Sequence, residues 1–497
     1  MNQTSSSHAE QEALSGRIPV LSGERVYTTY GSFLWTCCAF SAATWSFLIG
    51  SYLPFVGDWR LGVMGYVVGL IIGMALVTLA SGVPSYKYGT DTIDASKSSY
   101  GYRGILIPLV SLLITLIGWG YVVEALTARG ASNIVATISG TSITGAGQEH
   151  LVIGVAMALL CVVWVTTCKG PKLFERLNAY IGPFHMIVTV IMLGILINKY
   201  GVHTLWSSQL PADQMLTKSP IQGMALAVEF GVGAAMTWWP VIGGLTRLVK
   251  HKKHIIGPPV IGVGILGSAV VSTVAALAAI SAGTYDPTVW MIAVGGSIFG
   301  SIVMTVVLAA NLATMVVLIY LAAVSVQQIK VFARMRWELL IGLLLLPGLY
   351  FAFKTEWLLS VVMTWLSYNG VMFVGISAIT TVDYFFLRKQ RLDAASMFAK
   401  ENSQYAYWGG VNWVAVVITI ASVFGYLKLY DPATVVMAPA FNYFGASIPT
   451  FFLSGLAYYL AARLILIPMG KGGYLQHAQS IPTLGKSTAS GTLPVSL

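Results

Sequence analysis

Residues 229–240 read EFGVGAAMTWWP, and residues 37–46 read CCAFSAATWS. Both are apolar runs interrupted by small residues, and in the first of them Gly231, Gly233 and Pro240 weaken a continuous helix. Two interpretations are open. The small residues suit close helix packing, which is the simpler interpretation of the letters alone. Alternatively, both helices unwind midway and expose backbone amide and carbonyl groups to a solute inside a membrane.

The rest of the sequence places both stretches in a membrane. Hydrophobic residues make up 56% of the chain and charged residues only 9%, with a mean hydropathy of +0.76. A soluble protein carries about 25% charged residues. About twelve apolar runs are long enough to span a bilayer. They cover approximately residues 31–54, 60–84, 102–127, 151–167, 179–198, 224–246, 255–283, 293–322, 337–353, 358–386, 408–427 and 446–468.

The distribution of Lys and Arg predicts the orientation. If the N-terminus is cytoplasmic, the tails and the even-numbered loops hold roughly 22 of the 28 basic residues. We therefore expect a multi-pass protein of the cell membrane with both termini inside. Helix one then starts inside and helix six outside, so two five-helix halves of the same fold would be inverted relative to each other.

The predicted organisation follows from these runs and from the parity of the helices. It comprises a cytoplasmic N-terminal tail (1–30), a first repeat of helices one to five (31–199), a second repeat of helices six to ten (224–387), helices eleven and twelve (408–468), and a cytoplasmic C-terminal tail (469–497).

Two carboxylates fall inside predicted spans. Glu124 lies in helix three and Glu229 near the outer end of helix six. An ionised carboxylate in hydrocarbon costs on the order of 2.5 kcal/mol or more, so such a group is protonated, paired or beside water. Both are candidates for coupling-ion binding, and Glu124 is also a candidate for a hydrogen bond to a solute N–H. The alternative is a wetted position near a helix end.

Aromatic residues and one amide complete the candidates from the residues themselves. Helix one carries Phe40 and Trp45, helix three Trp119 and Tyr121, and helix six Trp238 and Trp239; by position along their spans, Phe40, Trp119 and Trp238 lie nearer to mid-depth than to the ends. Rings at that depth would hold a flat aromatic solute by stacking, although interfacial belts also collect Trp and Tyr. Asn311, in helix eight, offers both donors and an acceptor for a heterocycle edge, or it ties two helices together.

Other classes of protein find little support. The sequence has no H-E-x-x-H, G-x-S-x-G or P-loop motif, so we do not expect an enzyme. The net charge of +10 resides in loops, which disfavours nucleic-acid binding. No cofactor, metal site or obligate protein partner is expected; the partners are a small solute and the lipid bilayer.

Several motifs, taken in order, resemble the nucleobase–cation symporter-1 family, especially bacterial cytosine and purine permeases. The resemblance covers about residues 25–465. It rests on FSAATWS (40–46), SSYGYRG (98–104), the GW pair at 118–119, GGLTRLVK (243–250), VDYFFLRKQRLDAASMF (382–398) and YAYWGGVNWVA (405–415).

This resemblance implies a LeuT-like fold, with a five-plus-five inverted repeat and two added C-terminal helices. It also implies alternating-access uptake of nucleobases or related flat nitrogen heterocycles, driven by Na⁺ or H⁺. Phe40 and Trp119 fall on the family's aromatic positions, and Thr237 and Ala234 on helix-six serines near the base. Asn311 falls near polar residues of helix eight.

The sequence departs from the family at two places. Gly244 replaces the Asp before the helix-six Arg, and Ala309, Ala310 and Asn311 stand where helix eight carries the Ser/Thr pair of the sodium site. Losing two hydroxyl ligands should weaken a site for a hard cation. Ala309 and Ala310 remain coupling-ion candidates by position, but with Glu124 nearby we favour proton coupling over sodium coupling.

We therefore expect a secondary active importer of a cytosine, purine, hydantoin, allantoin or vitamin-precursor type of heterocycle. Phe40 and Trp119 would sandwich the ring, beside Trp238, while Thr237, Asn311 and unwound backbone would read its edge. An amino-acid or amine transporter of the same fold is the main alternative. An integral membrane enzyme and a channel are two further classes.

Overall fold

Helices form almost all of the structure, a computed structural model that describes residues 10–140, 145–399 and 402–474. The predicted tails at 1–30 and 469–497 therefore lie partly outside the described residues. The helices of the first part are α1 (Tyr30–Ser41), α2 (Thr44–Tyr52), α3 (Trp59–Val77), α4 (Val83–Tyr88), α5 (Thr92–Tyr100), α6 (Leu106–Ser139), α7 (Ala146–Cys168), α8 (Pro171–Tyr200) and α9 (Val202–Ser207).

The second part continues in the same manner. Its helices are α10 (Pro220–Met236), α11 (Trp239–Thr246), α12 (Gly257–Pro259), α13 (Val271–Ala282), α14 (Pro287–Val326), α15 (Lys330–Ala333), α16 (Trp337–Ala352), α17 (Thr355–Thr381), α18 (Ala394–Phe398), α19 (Trp413–Leu429), α20 (Phe441–Phe444) and α21 (Ser447–Ala461). A short antiparallel pair, β1 (Tyr430–Asp431) and β2 (Val436–Met437), follows α19.

Short segments of other helix types join or extend these helices. The π-helical segments are Thr78–Gly82, Val260–Val270, Val382–Leu387 and Ala462–Leu466, and the 3₁₀ segments are Ser22–Glu24, Leu53–Val56, Ala212–Gln214 and Lys252–His254. Because π-helical segments follow α3, α17 and α21 directly, they lengthen those helices without a break.

The helices are long and apolar enough to build a membrane-spanning bundle. Among the described residues, eight helices could each cross a bilayer, and the number rises to eleven if three bent pairs each count as one span. The helix Trp413–Leu429 is apolar but shorter, with 17 residues. The all-α membrane architecture is thus confirmed, while the number twelve and the inverted repeat stay predictions.

Glycines bring α3 and α10 into backbone contact. A Cβ on Gly69 would collide with the carbonyl oxygen of Val228, and one on Gly231 would collide with the carbonyl oxygen of Tyr66. Gly73 would meet Ala235 in the same way. The packing interpretation of Gly231 is therefore correct, since close approach of two helices needs small residues at their interface.

Both helices that open the predicted repeats are nevertheless broken. The axes of α1 and α2 differ by 57°, and those of α10 and α11 differ by 45°. Ala43 is extended at the first break, with ψ of 171°, whereas at the second Thr237 and Trp238 stay in the right-handed α region with ψ of −9° and −5°. Pro240 follows immediately and has no N–H to donate to a continuous helix. Helix packing and helix interruption thus occur in the same sequence stretch.

The end of the bundle that carries Arg247 and Asp383 is closed by buried polar contacts. The Arg388 guanidinium donates to the Asp383 carboxylate over 2.7 Å, and both side chains are fully buried. The Arg247 guanidinium donates to the carbonyl oxygens of Ala13 and Leu14 at 3.0 and 2.9 Å. The Arg247 bonds fix the segment before α1 to the end of α11.

Candidate functional site

The two helix breaks face α6 and α14 across one cavity in the middle of the bundle. Its walls come from α1, α2, α6, α10, α11 and α14, together with the residues between α10 and α11. The residues that line it are Phe40, Trp45, Thr115, Leu116, Trp119, Val123, Ala234, Thr237, Trp238, Val241, Thr314 and Leu318. The site therefore lies where both interrupted helices reach the bundle interior.

Aromatic rings fill most of this cavity. Phe40 meets Trp238 edge-on, with centroids 4.8 Å apart and an interplanar angle of 90°. The ring centroid of Trp45 lies 5.3 Å from that of Trp119 and 6.3 Å from that of Trp238. The remaining free volume is about 20 Å³, which is room for about one water molecule. The rings must therefore separate before a flat heterocycle can enter between them.

Trp45 bridges the break between α1 and α2. Its indole Nε1–H donates to the carbonyl oxygen of Phe40 over 3.3 Å, so the side chain of the second half-helix satisfies the end of the first. This bond holds the Trp45 side chain against the cavity that it lines. It also orients the backbone that carries the Phe40 ring.

Asn311 holds the same break from the opposite wall. Its Oδ1 accepts from the backbone N–H of Thr44, the first residue of α2, at 2.8 Å. Its Nδ2 donates to the hydroxyl oxygens of Thr44 at 2.7 Å and Thr127 at 3.0 Å. Asn311 is fully buried and does not line the cavity. With these bonds in place its amide ties α2, α6 and α14 together, so the predicted role in reading a substrate edge has no support from its position.

Apart from the indole N–H groups of its tryptophans, the side chains of the cavity lining are polar only through hydroxyl groups. Thr237 lies at the end of α10, and its hydroxyl donates to the carbonyl oxygen of Ala234 at 2.7 Å, leaving the hydroxyl oxygen able to accept. The Thr314 hydroxyl is buried without a hydrogen-bond partner among the described residues. None of the described lining residues is charged. Such a wall suits a neutral aromatic solute better than a zwitterion.

Glu124 lies outside the cavity, on the side of α6 that faces α16. It is 1% exposed, and neither carboxyl oxygen has a hydrogen-bond partner among the described residues. A Cβ added to Gly348 would lie 2.9 Å from the Glu124 carboxyl and 2.8 Å from Leu160. The glycine thus makes room for a carboxyl group in apolar surroundings. Its position supports proton binding more readily than substrate contact.

Glu229 is not among the lining residues and has a full set of hydrogen-bond partners. Its carboxylate accepts from the backbone N–H groups of Ala446 and Ser447 at 2.7 and 3.0 Å, and from the Tyr426 hydroxyl at 2.9 Å. The N–H groups belong to the start of α21, where the helix dipole favours an anion. Glu229 therefore fastens α10 to the last helices, and this geometry gives no support to its predicted part in coupling.

The remaining coupling-ion candidates lie next to Asn311 on α14. Ala310 is fully buried, whereas Ala309 faces out of the bundle. Neither side chain offers an oxygen to a cation. The position where the resemblance implies a sodium site is thus occupied by the Asn311 amide and its two threonine hydroxyls.

The structure brings together five of the predicted substrate-binding residues, namely Phe40, Trp119, Ala234, Thr237 and Trp238. Among the lining residues that the sequence did not single out, Thr115 and Thr314 carry hydroxyl groups. Both could have been found by helical spacing, since Thr115 is four positions before Trp119 and Thr314 is three after Asn311. By contrast, Tyr121 and Trp239 point elsewhere, to the carbonyl of Leu344 and to the Phe373 ring.

Comparison with known proteins gives one family and several similar structures. The family described as permease for cytosine/purines, uracil, thiamine, allantoin matches residues 19–463. The chain is similar to Mhp1 in its inward-facing conformation, with a TM-score of 0.72, 16% identity, and coverage of 94% of this chain and 97% of Mhp1. No curated protein matches the chain significantly.

Two further structures agree with this fold. Mhp1, a nucleobase-cation-symport-1 family transporter, in a closed conformation with bromovinylhydantoin bound gives a TM-score of 0.70 at 15% identity, covering 95% of this chain and 97% of the other. A Na⁺-coupled sialic acid symporter gives 0.58 at 14% identity, covering 91% of each chain. These similarities establish the fold.

Proposed function

The chain belongs to the family of permeases for cytosine/purines, uracil, thiamine and allantoin, and from this we propose that it imports a nucleobase or related flat nitrogen heterocycle by cation symport. The observation that carries the proposal is the aromatic cavity between the two broken helices. Rings from α1, α2, α6 and the α10–α11 break supply stacking surfaces for a flat solute. The candidate heterocycles are purines, pyrimidines such as cytosine, hydantoins, allantoin and vitamin precursors.

The alternative solutes are amino acids and amines of the kind that other transporters of this fold carry. A zwitterion needs compensation for its ammonium and carboxylate groups, because burying an unpaired charge is costly. The described lining offers no charged side chain. The cavity therefore favours a heterocycle over an amino acid, with Phe40 and Trp119 on either side of the ring.

Proton coupling is the finer part of the proposal. Glu124 is the carboxyl that the structure leaves buried and unpartnered on α6, the helix that also carries Trp119. In apolar surroundings the neutral, protonated form is the cheaper one. At the α1–α2 break the Asn311 amide already satisfies Thr44 and Thr127, so this place does not require a cation.

We place both termini in the cytoplasm, as the basic loops indicate.

The substrate class is tested by uptake into cells that lack their own nucleobase transporters. Radiolabelled uracil, cytosine, hypoxanthine, allantoin and hydantoin are each offered, with unlabelled amino acids and heterocycles as competitors. We expect saturable accumulation of at least one heterocycle against its gradient, inhibited by heterocycles and unaffected by amino acids. Inhibition by amino acids alone would support the alternative solute class, and flux that only equilibrates would point to a channel.

The coupling ion is tested by separating proton and sodium gradients in proteoliposomes. Accumulation should collapse with a protonophore and persist when sodium is replaced by potassium. The substitution Glu124→Gln removes the titratable proton at nearly unchanged volume, so it should abolish accumulation and leave substrate exchange intact. Glu149→Gln, at the exposed start of α7, is the matched control. Strict dependence on sodium in the wild type would reject proton coupling.

A further inference from the structure

Behind one wall of the cavity lies an asparagine whose amide oxygen has a hydrogen-bond partner while its amide nitrogen has none among the described residues. Asn369, on α17, is 3% exposed. Its Oδ1 accepts a hydrogen bond from the Thr115 hydroxyl over 2.6 Å, and Thr115 itself lines the cavity. Its Nδ2 is buried without a partner among the described residues. A buried donor of this kind is costly unless something completes its hydrogen bonds.

Asn369 lies behind the α6 wall of the cavity, on a helix that contributes none of the described lining residues. Thr115 and Trp119 lie four positions apart on α6, and Trp365 and Asn369 lie four positions apart on α17, so each pair shares a helix face. Trp119 contacts Trp365 with centroids 5.3 Å apart. A Cβ on Gly370, the next residue, would lie 2.7 Å from the carbonyl oxygen of Gly233 in α10. The contact between Trp365 and Trp119 and the contact between Gly370 and Gly233 therefore hold this part of α17, with Asn369, against the cavity wall.

The Thr115 hydroxyl gives this pair a choice of partners. It has a single hydrogen and two acceptors within reach, the carbonyl oxygen of Ser111 at 2.7 Å and Asn369 Oδ1 at 2.6 Å. Turning the hydrogen towards Ser111 keeps it satisfied and frees the amide to reorient. Hydroxyl rotation is the low-cost motion in such a network, because the oxygen both donates and accepts.

We infer that Asn369 and Thr115 form a polar edge of the substrate site and select heterocycles that present a carbonyl oxygen there. This inference rests on the proposed function. When Trp119 moves to admit a ring, the adjoining Trp365 contact opens, and the Asn369 amide becomes a donor for the ring edge beside the Thr115 hydroxyl. Stacking residues then set the shape of the substrate, and this pair sets its hydrogen-bonding pattern.

The test compares competitors that differ by one carbonyl group against uptake of the best radiolabelled heterocycle. The compounds are uracil with the two pyrimidinones that each lack one of its carbonyls, and hypoxanthine with purine. In the wild type, loss of the recognised carbonyl should weaken inhibition about tenfold or more. The quantity compared is the ratio of the inhibition constants of the compound without the carbonyl and the compound with it. In Asn369→Leu and in Thr115→Val, this ratio should fall towards unity. In Thr115→Ser, which keeps the hydroxyl, it should stay as in the wild type.

Asn178→Leu is the matched control, because Asn178 is an equally buried amide without partners among the described residues, on α8 away from the cavity lining. It should keep the wild-type ratios. Thr115→Val carries the test if Asn369→Leu fails to reach the membrane. Wild-type ratios in both variants would overturn this inference alone. Absence of uptake of every heterocycle by the wild type would overturn the proposed function and the inference with it.

Discussion

Replacing Trp119 by alanine is expected to lower the Vmax/KM of heterocycle uptake by about a hundredfold or more, while the protein still reaches the membrane. Trp119 lines the cavity and contacts Trp45 and Trp365, both at 5.3 Å between centroids. Truncating a buried aromatic removes about 3–5 kcal/mol of packing, and a hundredfold loss corresponds to about 2.7 kcal/mol. Initial uptake rates over a range of substrate concentrations measure the effect.

Two further variants separate the loss of the aromatic stacking face from the loss of side-chain volume. Trp119→Phe keeps an aromatic face and should retain part of the uptake. Trp413→Ala removes an indole that is 56% exposed at the start of α19, and it should behave as the wild type. Membrane levels are matched by size-exclusion chromatography of detergent extracts. Unchanged kinetics in Trp119→Ala would remove the aromatic sandwich from the mechanism.

Replacing Asn311 by alanine should have an effect of similar size, for a different reason. The change deletes three buried hydrogen bonds and leaves the Thr44 N–H and one hydroxyl without their partner. Each buried group left unsatisfied costs roughly 1–3 kcal/mol. Since Trp45, Val123 and Thr314 line the cavity close to these contacts, we expect uptake to fall about fiftyfold or more.

Asn133→Ala is the matched control for this change. Asn133 also joins α6 to the start of α14, through hydrogen bonds from Nδ2 to the carbonyl and hydroxyl oxygens of Thr288 at 3.0 and 3.1 Å, but away from the break. It should lower the thermal unfolding midpoint and leave KM unchanged. Thr127→Val removes one of the three Asn311 bonds, together with the bond from the Thr127 hydroxyl to the carbonyl oxygen of Val123, and should fall between the two. If Asn311→Ala were as active as Asn133→Ala, the amide would have no part in shaping the site.

Some residues of the site could be predicted because their positions along the helices suffice to place them. Phe40 and Trp238 flank the interrupted stretches, and Trp119 lies at mid-depth in α6, so depth and sequence order brought them to one level of the bundle. Glu124 and Glu229 could be recognised as buried carboxylates in the same way. Depth alone did not reveal that one is unpartnered against Gly348 and the other caps α21.

The amino-acid sequence by itself determined that this chain is a helical membrane protein of the permease family. Hydropathy and motifs are properties of short stretches of chain, so they can be recognised without knowing how the helices pack. It also singled out the two stretches in which the helices break, but left helix packing and helix interruption open as interpretations of them. Only the tertiary structure decided what Asn311 and Asn369 do. Asn311 bonds to Thr44 across 267 positions, and Asn369 to Thr115 across 254. The direction of a side chain and the partner it meets depend on how distant helices pack, and no local pattern contains that information.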